Sequence, residues 1–217
     1  MLEFRNVTKT FWNGKFRTVI LAGASFTVPR GKGLGILARN GTGKTTLINM
    51  MAGIERPDSG EIIRNARVSF PVGMKPGVVS ALSGAANVRA IARIYDHDPD
   101  RAEAWAAEFS ELGPHFHLPV RTYSSGMKTR LGIALLLALE FDLYLIDEAF
   151  SVGDGAFGEK AALYMRDRLS RSTVVMVSHN LRQLRTFCES AAVLDQGRLT
   201  MFERFDDAEA AYHAQAA

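Results

Sequence analysis

Apolar and polar positions alternate from Leu2 to Val7, which predicts a half-buried strand at the start of the chain. Val19 to Val28 supplies more strand and closes on Pro29-Arg30-Gly31-Lys32, a turn. Leu34-Gly35-Ile36-Leu37 is a short apolar run of the kind that forms a buried strand, and Thr45 to Ala52 then reads as the opening of a helix. Pro57-Asp58-Ser59-Gly60 is a turn before the strand candidate Glu61-Ile62-Ile63-Arg64. From about Ser80 to Leu112 the pattern becomes helical and alanine-rich, with Pro114 and Pro119 breaking it. Met127 to Glu140 predicts a long helix. Leu143 to Asp147 and Thr173 to Ser178 are two further buried strands, the first ending in acids and the second at His179. Ala191 to Asp195 and Gly197 to Phe202 pair as a hairpin about Gln196-Gly197, and a polar helix runs from Asp206. Strands alternating with helices predict an α/β fold with a mainly parallel sheet and a helical insert. The expected organisation is a single domain over 1–217, with a core from 1–78 and 141–217 and a helical subdomain at about 79–140.

Composition narrows this little. At 217 residues, 47% hydrophobic and 23% charged, the chain can bury a full core. A formal charge of +3 is mildly basic, which suits contact with phosphates or an anionic membrane surface but is not the footprint of a dedicated nucleic-acid binder. The single cysteine, Cys188, allows no internal disulfide and fits a reducing compartment. Met1 to Arg5 does not read as a signal peptide, and the longest apolar run, Leu131 to Leu139, is too short to span a bilayer.

The chemistry lies in four places. Ala38-Arg39-Asn40-Gly41-Thr42-Gly43-Lys44-Thr45 sits between a strand and a helix, the setting of a phosphate-binding loop. Gly41 and Gly43 let backbone amides point inward at phosphate oxygens, and the helix N-terminus adds partial positive charge. Lys44 is placed for the β- and γ-phosphates, the Thr45 hydroxyl for the magnesium site, and Thr46 is a further candidate nucleotide-binding residue. The usual pattern opens on glycine, where this loop has Ala38; its methyl is tolerable if that residue has negative φ. Next, Asp147 and Glu148 stand at the carboxyl end of a buried strand, the edge that faces ligand in an open α/β sheet, so Asp147 is a candidate Mg2+ ligand and Glu148 a candidate general base. Third, Tyr123-Ser124-Ser125-Gly126-Met127-Lys128 opens a long helix: alone it is a capped start, with Ser124 or Ser125 as cap, and beside the other motifs it is an anion-binding N-terminus. Last, His179 follows a strand and can reach a γ-phosphate or a water.

These features, in this order, resemble the ATP-binding subunits of ABC transporters over nearly the whole chain. Ser124 and Gly126 fall in the signature motif, Asp147-Glu148 end the Walker B strand, and His179 is the switch histidine. Ser151-Val152-Gly153-Asp154 takes the place of the D-loop, and Phe11 (or Trp12) matches the aromatic that stacks on adenine. The resemblance implies a P-loop NTPase core, an N-terminal antiparallel β subdomain and an α-helical subdomain. It also implies ATP and Mg2+ as cofactors, and two copies closing head to tail so that Lys44 and Thr45 of one face Ser124 and Gly126 of the other across ATP. Closure would drive a separate transmembrane permease, with the chain peripheral on the cytoplasmic face of the inner membrane and no nucleic-acid partner.

A narrower likeness runs to the capsular-polysaccharide exporter branch. It rests on Phe70-Pro71-Val72-Gly73, Glu111-Leu112-Gly113, the Tyr123–Lys128 segment, Phe141 to Glu148 and Val152-Gly153-Asp154. O-antigen, teichoic acid or lipid export, a weakly hydrolysing nucleotide-gated module, and a repair or translation ATPase are the alternatives. One departure stands out: the family's glutamine between core and helical insert is replaced by Val79, whose side chain can neither donate nor accept a hydrogen bond.

Overall fold

The computed structural model describes residues 1–72, 77–147 and 155–214. It is α/β, with eight strands and seven α-helices among the described residues: β1 (Leu2–Asn13), β2 (Phe16–Val28), β3 (Gly33–Ala38), α1 (Lys44–Ala52), β4 (Ser59–Arg64), α2 (Gly84–Ile94), α3 (Pro99–Ser110), α4 (Ser125–Ala138), β5 (Leu143–Asp147), α5 (Gly155–Ser170), β6 (Thr173–Ser178), α6 (Leu181–Phe187), β7 (Ser190–Asp195), β8 (Arg198–Phe202) and α7 (Phe205–Ala214). They gather into two compact units, one from residues 1–73, 141–150 and 171–217, the other from 74–140 and 151–170.

In the first unit an antiparallel sheet of order β2-β1-β4 accompanies a five-stranded sheet of order β5-β6-β3-β7-β8. The second sheet is parallel except for β8, which runs back along β7. All six positions of β3 and of β6 are buried, which is why both read as unbroken apolar runs. Strand β3 lies between β6 and β7 although α1 and β5 follow it in the chain, so the sheet's topological switch falls at its carboxyl end. Helix α1 buries Leu47, Ile48, Met50 and Met51 in the same core as Leu143 and Val175. Gly33 has no room for a side chain, since a Cβ there would lie 2.0 Å from the Phe187 carbonyl oxygen. The neighbouring Cys188 thiol is buried and pushed up to about 12 by desolvation, which makes it inert.

The second unit contains α2 to α5. Its packing differs from the sequence reading in two ways. The helical stretch expected from Ser80 to Leu112 is two helices, because the Asp98 carboxylate caps α3 by accepting from the Asp100 and Arg101 amides, with Pro99 in the first turn. Residues 151–170, assigned by sequence to the core, group with the helical unit: α5 brings Phe157 and Tyr164 to 5.7 and 5.1 Å from the Phe109 ring. Its Lys160 meets Glu111 at 2.8 Å.

The other surprise is the length of the first hairpin. Strand β1 continues six residues past Val7, and β2 begins at Phe16 rather than Val19. Asn13-Gly14, with Gly14 at φ 60, is the turn signal that the alternation alone did not weigh.

Candidate functional site

The loop after β3 turns on two glycines. Gly41 and Gly43 have φ of 82° and 100°, in the region that L side chains rarely adopt. Thr42 folds back on the loop, its amide and hydroxyl donating to the Arg39 carbonyl at 3.3 and 2.8 Å. Gly43 caps α1 and has no side chain to accept from the first amides, and no acid stands in the first turn. That end of α1 therefore carries the partial positive charge and amide donors that suit an anion. Gly43 is also fixed from outside the loop, because a Cβ there would lie 2.6 Å from Ile20 Cγ2. Nothing local in the sequence pairs Ile20 with Gly43; the antiparallel sheet brings them together.

Ala38 is the last residue of β3, paired with Leu194 and fully buried in the core. Its extended backbone accepts a methyl without strain, so the opening glycine is dispensable here. Ala38→Gly is expected to cost about 0.5–1 kcal/mol through added backbone freedom, without tightening ATP binding. Thermal melting and an ATP titration check this; tighter binding would show that the methyl hinders the site.

Lys44 donates to the Asn40 side-chain oxygen at 2.9 Å, and its charge also acts on Asp147 at the end of β5. Burial raises the Asp147 carboxyl above its ordinary value, and Lys44 partly offsets that. A carboxylate and the Thr45 hydroxyl are hard oxygen donors that suit Mg2+. Among the described residues no three His, Cys, Asp or Glu side chains converge on a metal position. The donor set fits an ion that completes its shell with phosphate oxygens and water, as magnesium does in phosphoryl-transfer sites. His179 follows β6, the strand beside β3, and is exposed. Glu148 and Asp154 lie outside the described residues.

The hairpin separates Phe11 from Trp12. Directly opposed residues share a face and neighbours alternate. Thr10 opposes Val19, Phe11 opposes Thr18, and Trp12 opposes Arg17. Val19 is the residue that a Cβ on Gly197 would strike, at 2.7 Å, whereas Ile20 is the one at Gly43. Phe11 thus stands on the phosphate-loop face, and Trp12 on the face toward the β7–β8 turn. Lys9 Nζ lies 4.9 Å from the Phe11 ring centroid and is anchored by Glu55, Asp58 and the Arg56 carbonyl.

In the second unit Ser124 caps α4, its hydroxyl accepting from the Met127 amide at 3.2 Å. Ser124, Ser125 and Gly126 are all exposed, and no Cβ contact closer than 4.0 Å would arise at Gly126. The signature segment therefore offers an open helix N-terminus. Tyr123 behind it is buried, donating to the His115 carbonyl at 2.7 Å. Val79 is 51% exposed. Its backbone amide and carbonyl are both held by the buried Asn87 side chain, at 2.7 and 3.1 Å. The signal for Asn87, missed in the sequence, is a lone amide in an apolar helix stripe.

The comparisons with known proteins show the family and the fold. The family model described as "ABC transporter" matches residues 21–151. The ATP-binding protein BexA of Haemophilus influenzae is 40% identical over 208 residues, 96% of each chain. The capsule polysaccharide export ATP-binding protein CtrD of Neisseria meningitidis serogroup B is 39% identical over 99% of each. An ATP-binding cassette solved as a dimer in a post-hydrolysis state with ADP and phosphate superposes with a TM-score of 0.73 at 21% identity, covering 93% of this chain and 98% of its own; this likeness speaks to the fold alone.

Proposed function

The chain belongs to the ABC transporter family, and from that premise we propose that it is the ATP-binding, ATP-hydrolysing subunit of an exporter that powers movement of capsular or related cell-surface polysaccharide across the inner membrane through a separate permease. The observation that carries the ATPase reading is the β3–α1 loop, with Gly41 and Gly43 at positive φ and the Lys44 charge set against Asp147. The cargo class is supported by the likeness, over almost the full length of both chains, to a capsule export protein. No described helix is long and apolar enough to cross a membrane, in keeping with a subunit that docks on a permease at the cytoplasmic face.

The roles follow from placement. Arg39 to Gly43 wrap the phosphates with backbone amides, while Lys44 draws the β- and γ-phosphate oxygens and steadies the charge that spreads over them during transfer. Phe11 stacks on the base. Thr45 and Asp147 would hold Mg2+, which when bound neutralises phosphate charge and orients the γ-phosphate. Glu148 takes a proton from the attacking water, and His179 holds the γ-phosphate side of that water. A second copy presents Ser124, Gly126 and Asp154 to the same nucleotide, so closure requires ATP and hydrolysis releases it. That is a ligand-driven shift between two states, which the permease reads as changed access.

The decisive experiment is steady-state ATP hydrolysis by the purified chain, alone and with its permease, beside Glu148→Gln as the blank. Turnover above the blank is expected. ATP bound without turnover in either setting would overturn the hydrolysing role and favour a nucleotide-gated module, the reading that Val79 supports. Val79→Gln tests that position directly. If the missing amide weakens metal coordination and coupling, the substitution raises turnover in the presence of permease; a variant whose rates match those of the unsubstituted chain both with and without permease would reject the idea.

A further inference from the structure

We propose that the tip of the β1–β2 hairpin, Trp12 to Arg17, is a membrane-contact element that seats against an anionic phospholipid surface, separate from any docking on a permease. Trp12 is 68% exposed and Phe16 78%, the most exposed aromatics among the described residues, and they lie four positions apart at one turn. The strands stay paired to the end, Trp12 opposite Arg17, so the tip presents its side chains on a framework rather than a loose loop. Gly14 at the turn has nothing within 4 Å of a Cβ position.

Charge selects the partner. From Phe4 to Ile54 the chain has eight Lys and Arg and no Asp or Glu. The acids on or beside the hairpin stand away from its tip: Glu3 pairs with Arg5, Glu61 opposes Arg5, and Glu55 and Asp58 pair with Lys9 and the Thr10 amide. Lys15 and Arg17 at the tip are exposed, and the Arg17 guanidinium lies 6.0 Å from the Trp12 ring centroid. Trp and Phe beside Lys and Arg is the combination that settles at a bilayer interface, rings among the headgroups and cations on the phosphates.

Geometry also places aromatic side chains on both faces of the tip. Alternation puts Trp12 and Arg17 on one face of the hairpin and Phe16 on the other. Phe11 shares the Phe16 face, so a single-stranded nucleic acid stacking there is the alternative that the test must exclude. A tip that is aromatic on both faces suits immersion in an interface that surrounds it.

The chain has two tryptophans, so Trp105→Phe leaves Trp12 as the sole indole, and phenylalanine keeps the ring stacking on Phe109. The test adds vesicles of phosphatidylglycerol in phosphatidylcholine, or of phosphatidylcholine alone, to this variant. A blue shift of Trp12 emission and co-flotation with the anionic vesicles only are expected, weakening with salt. Lys15→Gln with Arg17→Gln should lower partitioning about 25-fold, at about fivefold per surface cation, while ATP affinity is retained. Flotation without a Trp12 shift, partitioning indifferent to Lys15 and Arg17, or no binding to protein-free anionic vesicles would overturn the proposal. So would binding of a single-stranded oligonucleotide in place of vesicles.

Discussion

Asp147→Asn is expected to lower ATP turnover on the order of 100-fold or more, the scale lost with one electrostatic stabiliser of a transition state, while raising the melting temperature of the nucleotide-free, chelator-treated protein. The two effects have one cause. The Asp147 carboxyl sits half-buried at the carboxyl end of β5, where desolvation holds it above its ordinary value and Lys44 only partly compensates. A carboxyl raised in the folded state binds its proton more tightly there than in the unfolded chain. The folded state is thus favoured at low pH, and that advantage is lost as pH rises through the carboxylate range. At neutral pH the free protein bears the whole cost of an ionised, partly desolvated group. Asparagine keeps the size and removes the charge. Each kcal/mol relieved should appear as about 2–4 °C at this chain length. The gain should shrink toward acid pH, where Asp147 is already protonated. Melting curves at two pH values, with turnover measured on the same preparations, check this. A lower melting temperature for Asp147→Asn in chelator would mean that the carboxylate is structurally satisfied without an ion.

Gly43→Ala is expected to abolish measurable ATP binding while leaving secondary structure in place. Two independent penalties meet at this residue. Its φ of 100° and ψ of 22° are left-handed, which costs an L residue about 1–2 kcal/mol. A Cβ would also stand 2.6 and 2.7 Å from Ile20 Cγ2 and Cδ1, an overpacking that typically costs about 1–3 kcal/mol. The cheapest relief is for the loop to turn its amides away from the phosphate position. Circular dichroism and an ATP titration would report the outcome. Adding Ile20→Ala removes the clash but not the torsional strain, so the double variant should recover only part of the affinity, while the lost core side chain lowers stability. Full recovery would place the whole effect in packing; wild-type affinity in the single variant would show that the loop does not need left-handed backbone at Gly43.

What was legible in the chain is what short-range chemistry encodes. The phosphate loop, the buried strands β3, β5 and β6 and the cap at Ser124 each depend on residues within a turn or a strand of one another. The family motifs are readable for the same reason, because consecutive amides on one glycine turn make the anion site. What was not legible depended on neighbours far away in sequence. The helix over 155–170 carries no local mark of its unit; the Phe109 ring and Glu111 hold it there. The harmlessness of Ala38 follows from its place as the last paired residue of β3, and the choice of Phe11 over Trp12 for the phosphate-loop face follows from Ile20 striking Gly43 while Val19 strikes Gly197.

By itself, then, the sequence determined that this is a nucleotide-binding α/β protein with a glycine loop, an acid-ended strand and a capped signature helix. The tertiary structure alone decided that Asp147 bears a desolvation cost beside Lys44, that Gly43 is fixed by a side chain from another sheet, and that the first hairpin ends in an uncovered aromatic and cationic tip. The reason is physical: torsions and caps are set by near neighbours, whereas burial, steric exclusion and the field at a charge are sums over whatever the fold brings within a few ångströms.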